Sequence, residues 1–112
     1  MSNKELTRIK QQKNIKMEKE LIVKWKISAS ETPRILKLLP QMVEKTRNEQ
    51  GNISYNIYQS VNDVNELILH ERYVDNDAVE AHKASGHYQE IVVGQIIPHL
   101  EIREVTIVNK LF

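Results

Sequence analysis

Within ERYVDNDAVEAHKASGHY, Glu71 through Tyr88, a glutamate, two histidines and two tyrosines fall inside one short span. A carboxylate, an imidazole and a phenol that share an apolar space can bind an acidic hydroxyl and remove its proton. The strand-like run ELILHERY, Glu66–Tyr73, puts Leu67, Leu69, Glu71 and Tyr73 on one face and Ile68, His70 and Arg72 on the other. A carboxylate on an apolar face must take up a proton or find a donor. His82 follows Ala78 and Val79 by four and three residues, which sets it on the inward side of a short helix. Tyr55 shares the face of Glu71 if the two strands form a regular hairpin. Glu71, His82 and Tyr55 therefore either line a pocket that does chemistry or satisfy one another as core hydrogen bonds. His87, just past Gly86, is a pocket rim residue or a surface cap. His70 lies on the opposite sheet face and suits an interface. His82 and His87 are five apart rather than the four of a helical zinc pair, so no metal site is expected.

The elements that must position these groups are legible from periodicity. ELIVKWKI, Glu20–Ile27, alternates as a half-buried strand with Leu21, Val23, Trp25 and Ile27 on one side. Ile35, Leu39, Met42 and Val43 form a helical stripe, with Ser30 or Thr32 as its cap. Gly51 suits a left-handed residue at its end. Pro40 predicts a kink or a break into two short helices. NISYNIYQS and ELILHERY, joined by the turn-forming VNDVN, read as a hairpin. Asp75 caps the next helix, Gly86 interrupts it, IVVGQII continues helically, Pro98 stops it, and LEIREVTIVNKLF supplies the last strand. Strand, helix, strand, strand, helix, strand predicts an α+β, ferredoxin-like four-stranded antiparallel sheet with helices on one face. Its other face keeps Ile22, Tyr58, Ile68 and Val108, which predicts a homodimer through that sheet face.

The 112 residues fit a single domain. A formal charge of +1 gives no general mandate for nucleic acid or an anionic membrane. Residues 1–19 carry +4 and the remainder −3, so 1–19 read as a basic, flexible leader and 20–112 as the folded domain. The chain has no cysteine, which excludes disulfides, thiolate nucleophiles and cysteine-ligated metal. With no secretory signal and no apolar run near the roughly 20 residues of a membrane span, a cytoplasmic location is expected. The three glycines are isolated, so no phosphate-cradling loop is present. One tryptophan and one phenylalanine do not make a stacking platform for RNA.

The runs GNISYNIYQS, NELILHERYVD and AVEAHKASGHY together resemble the antibiotic biosynthesis monooxygenase domain family, including its quinol monooxygenase-like members. Gly51, Tyr55, Gln59, Glu71, Tyr73, Ala78, His82, His87 and Tyr88 carry the likeness, which extends from Glu20 to the C-terminus. The resemblance implies a dimeric α+β barrel with one pocket per subunit. It further implies cofactor-independent oxidation of a small aromatic phenol or hydroquinone by dioxygen, with no cofactor. Carried onto these residues, His82 is the base or proton relay, Glu71 orients it, and Tyr55 binds the substrate oxygen. Trp25, Leu67 and Leu69 form apolar walls. Asn52, His70 and Tyr73 depart from the family's usual cysteine, aromatic and tryptophan. Because that family is functionally mixed, a non-catalytic dimeric small-ligand or haem-binding module is the alternative. A haem-degrading oxygenase or a sugar-phosphate isomerase stands behind it.

Overall fold

The computed structural model describes residues 18–112. Four antiparallel strands, β1 (Lys19–Ile27), β2 (Asn52–Gln59), β3 (Glu66–Tyr73) and β4 (Leu100–Val108), form one sheet in the order β2-β3-β1-β4. Helix α1 (Thr32–Arg47) connects β1 to β2. Between β3 and β4 come helix α2 (Asn76–Ala84), a π-helical segment (Tyr88–Ile96) and a 3₁₀ turn (Ile97–His99). This is the ferredoxin-like arrangement. Of the basic leader, residues 1–17 lie outside the described residues, and Lys19 is already the first residue of β1. Among the described residues no helix is long and apolar enough to cross a membrane.

Alternation does what the sequence promises on the inner face. Leu21, Val23, Trp25 and Ile27 of β1 and Leu67, Leu69, Glu71 and Tyr73 of β3 are all buried. They pack against Ile35, Leu39 and Met42 of α1, Val79 of α2, and Ile91, Val92 and Ile96 of the π segment. Asp75 caps α2 by accepting from the Ala78 amide at 2.8 Å.

Three local expectations fail. Neither Ser30 nor Thr32 caps α1: Glu31 holds the cap position without a side-chain capping bond, and the Thr32 hydroxyl donates instead to Oδ1 of Asn65 at 2.7 Å. Helix α1 runs unbroken through Pro40. Pro40 is exposed, so its ring points away from the core and costs the helix one ladder hydrogen bond without breaking it. Gly51 is not left-handed, since no described residue has positive φ. Space is the reason for glycine here. A Cβ on Gly51 would lie 2.3 Å from the Cβ of Ala78, so α2 crosses directly over it. Gly51→Ala should therefore cost about 1–3 kcal/mol by overpacking, read as a lower urea midpoint. An unchanged midpoint would mean that α2 shifts aside freely.

Candidate active site

The functional groups come from three elements that the register brings together. Tyr55 of β2 and Leu21 of β1 flank Glu71 of β3 directly. A bulge at Ile53 shifts the β2–β3 pairing before Tyr55, and the pairing is regular from Ser54 to Gln59. Helix α2, held close by Gly51, lowers His82 onto this corner of the sheet. The His82 ring lies 5.9 Å from Tyr55, 5.4 Å from Tyr73 and 5.0 Å from Tyr88, edge-on to the last.

Glu71, Tyr73, His82 and His87 each have a defined partner. The Tyr73 hydroxyl donates to Oε1 of Glu71 at 2.7 Å. Nε2 of His82 lies 3.9 Å from the same Glu71 oxygen. On the far side of the ring, Nδ1 of His82 is 2.7 Å from Oε2 of Glu49. Nε2 of His87 is 2.6 Å from that Glu49 oxygen as well. A carboxylate only accepts, so Glu49 accepts a hydrogen bond from an N–H of each imidazole and holds His82 in the tautomer protonated at Nδ1. The lone pair of Nε2 then faces Glu71. The hydrogen bond that orients His82 thus comes from Glu49, while Glu71 is engaged by Tyr73. Glu49 follows the end of α1, in a turn without periodicity, and from there its side chain reaches His82 of α2 and His87 beyond it.

Burial pushes the Glu71 carboxyl above its ordinary range, and the Tyr73 hydroxyl and the nearby His82 only partly offset this. Burial also pushes the Tyr55 phenol well up, with Glu71 adding to it. Tyr73 moves the same way for the same reasons. Both phenols therefore stay protonated and act as donors. The Glu71 shift carries a consequence for stability. A carboxyl whose folded value exceeds its unfolded one contributes stability that is complete below the unfolded value, and this is lost as pH rises through the folded one. As pH rises above about 4, the ordinary carboxyl range, Glu71→Gln should lose less stability than the native chain. Equal losses in urea denaturation would show that Glu71 ionises as freely folded as unfolded.

A cavity of ≈ 290 Å³ opens beside these groups, at the small end of ligand pockets. Tyr55, Glu71, Tyr73, His82 and Tyr88 provide its polar side, and Leu21, Val23, Trp25, Val92, Val105 and Ile107 provide apolar walls. Lys19, Lys83 and Arg103 add three cations to the lining. Arg103 stands opposite Trp25 across the β1–β4 pair and reaches to 3.5 Å from the Tyr88 hydroxyl. Of the residues expected here, Tyr55, Glu71, His82 and Trp25 line the cavity. Leu67 and Leu69 do not: each is 1% exposed, packed into the core, and the walls come from β1 and β4 instead. His87 is not at the rim but behind His82, on Glu49. His70 lies on the opposite sheet face, paired with Glu20. Glu49 and Arg103 are site groups that periodicity alone did not single out, and alternation set Tyr73 on the Glu71 face without assigning it a role.

Comparison with known proteins agrees with this fold. The family model described as antibiotic biosynthesis monooxygenase matches residues 20–93. Rv0793 of Mycobacterium tuberculosis, which carries a provisional monooxygenase name, is 45% identical over 51 residues, 46% of this chain. That match spans half the length of Rv0793. YcnE of Bacillus subtilis, also provisionally named a monooxygenase, is 25% identical over 67 residues, 60% of this chain and 70% of its own. The solved structure of Rv0793 superposes with a TM-score of 0.76 at 29% identity, covering 85% of this chain and 96% of that one. A crystal structure titled antibiotic biosynthesis monooxygenase shares the fold, with a TM-score of 0.78 at 23% identity over 83% of this chain and 98% of its own.

Proposed function

The chain belongs to the antibiotic biosynthesis monooxygenase family, and from that premise we propose that it is a cofactor-independent monooxygenase oxidising a small phenol or hydroquinone with dioxygen. The observation that carries this reading is the Glu49–His82 pair, which leaves Nε2 of His82 as a lone-pair base at the polar side of a small, mostly apolar cavity. A phenolic hydroxyl next to Nε2 gives up its proton, and Glu49 stabilises the resulting imidazolium. The electron-rich phenolate then reacts with dioxygen at a ring carbon. One oxygen atom becomes the new ring carbonyl and the other leaves as water with the ring hydrogen and the phenolic proton. The substrate supplies all four electrons. Tyr55, kept protonated by burial, is the phenol donor available to the substrate oxygens, since the Tyr73 hydroxyl is already donated to Glu71, and Arg103 is the cation that faces the anion. The cavity volume suits one or two fused rings rather than a tetrapyrrole.

A homodimer belongs to this reading. The outer sheet face leaves Ile22 and Tyr58 40% and 56% exposed, beside half-buried Ile68 and Val108. Pairing such faces removes them from water. The same cavity supports a second reading, because Lys19, Lys83 and Arg103 in its lining suit a phosphorylated substrate and an isomerase. Oxygen uptake by chelator-treated protein, offered a panel of hydroquinones and naphthols, separates the two. Uptake above the spontaneous rate supports the oxygenase. Uptake at the spontaneous rate across the panel removes it and leaves the isomerase to be assayed.

A further inference from the structure

We propose that Glu49, His82 and His87 form a binding site for a divalent first-row transition ion, with Oε2 of Glu49, Nδ1 of His82 and Nε2 of His87 as its donors. The sequence spacing of the two histidines argued against metal, but it left out the third donor, which arrives from 33 and 38 residues away. The three donor atoms lie within 4.8 Å of one another. Two imidazoles and one carboxylate are a donor set that zinc, cobalt and nickel accept readily. The side chains are 5%, 17% and 14% exposed for His82, Glu49 and His87, so the site is shielded yet open to entry. A tetrahedral ion sets its donors roughly 3.3 Å apart. Seating one asks Glu49 to draw back slightly and the imidazoles to close, which rotation of three side chains allows. Ser85 Oγ, 3.2 Å from Nε2 of His87, or a water takes the fourth position.

The position of the site decides what the ion does. His82 lines the cavity, whereas Glu49 and His87 do not. The ion therefore sits behind the imidazole, out of reach of a substrate. It holds Nδ1, so the ring's remaining proton must be on Nε2. A base facing the cavity becomes a donor. Metal thus silences His82, a consequence that rests on the proposed role of His82 as base; the binding site itself does not.

The test is a CoCl₂ titration of the chelator-treated full chain, followed by its visible d–d bands and by calorimetry. One Co²⁺ per chain is expected. Loss of even a supporting contact costs on the order of 10- to 100-fold in metal affinity, so Glu49→Gln and His87→Gln should each weaken binding at least about tenfold. His70→Ala and His99→Ala, which change the chain's other two histidines, should leave it unchanged. Circular dichroism establishes that each variant is folded, and either donor variant alone suffices. Native binding no tighter than that of the folded donor variants would overturn the site and leave the trio as a hydrogen-bonded relay. Because the titration contains no substrate, a chain that binds Co²⁺ yet oxidises no phenol keeps this inference and loses the proposed reaction. With an active substrate in hand, Zn²⁺ should stop oxygen uptake and chelator restore it. Bound zinc with uptake unchanged would overturn the silencing.

Discussion

Substitution of His82 by alanine should lower kcat/KM for phenol oxidation by about 10²- to 10⁴-fold, the usual contribution of a positioned general base. The mutation deletes the one neutral nitrogen in the cavity that can take a proton. Tyr55 and Tyr73 are held protonated, and the Glu71 oxygen nearest His82 already accepts from Tyr73, which leaves it a poor replacement. Glu49→Gln should have a smaller effect. Its amide oxygen can still accept from Nδ1 and keep the tautomer, but the negative charge opposite the imidazolium is gone. The order native, Glu49→Gln, His82→Ala in single-turnover oxygen uptake is therefore the expected signature, with added imidazole partly rescuing His82→Ala. Uptake by His82→Ala within a factor of about two of native would remove His82 from the chemistry.

The second large effect is structural. Trp25 is 3% exposed and packed in the main core, while part of its surface forms a cavity wall. Trp25→Ala should cost about 3–5 kcal/mol in urea denaturation, since a β-sheet floor flanked by Leu67 and Arg103 cannot collapse to fill the void. Trp25→Phe should cost distinctly less. The indole Nε1–H is buried without a hydrogen-bond partner among the described residues, and phenylalanine removes that unpaired donor along with the extra volume. If the two variants lost equal stability, packing at this position would not be what the indole supplies. In activity terms the enlarged cavity of a still-folded Trp25→Ala should admit bulkier rings.

What the sequence could reveal about this fold follows from period. Leu21, Val23, Trp25 and Ile27 alternate over a whole strand, and the short VNDVN turn forces β2 against β3, so the meeting of Tyr55 and Glu71 was legible. His82 could be placed because the helix start at Asp75 fixes its phase. Glu49 could not. It lies between a helix end and a glycine, where neither period applies, and its position depends on how far α1 travels across the sheet. Leu67 and Leu69 show the complementary limit: alternation assigns a residue to a face but does not say which part of that face is roofed. Helices close over the middle of β3, and the open space lies towards β4. The widened turns of Tyr88–Ile96 were legible only as helical, since Tyr88, Ile91, Val92 and Ile96 mark a stripe that an ordinary α-helix would also give.

The bulge at Ile53 bears on how this chain can change in length. Along β3 successive residues alternate between the cavity side and the outer face, so a deletion or insertion between Tyr55 and Tyr73 that was not taken up in the VNDVN turn would exchange the two sets at a stroke. Glu71 would then face outward and Arg72 would enter the core. At Ile53 the ladder already accommodates an unmatched residue, and the side chain there is 43% exposed. Length variation among sequences that keep this site should therefore gather at Ile53 and in the loops, and be absent from the ladder that joins Tyr55 to Glu71.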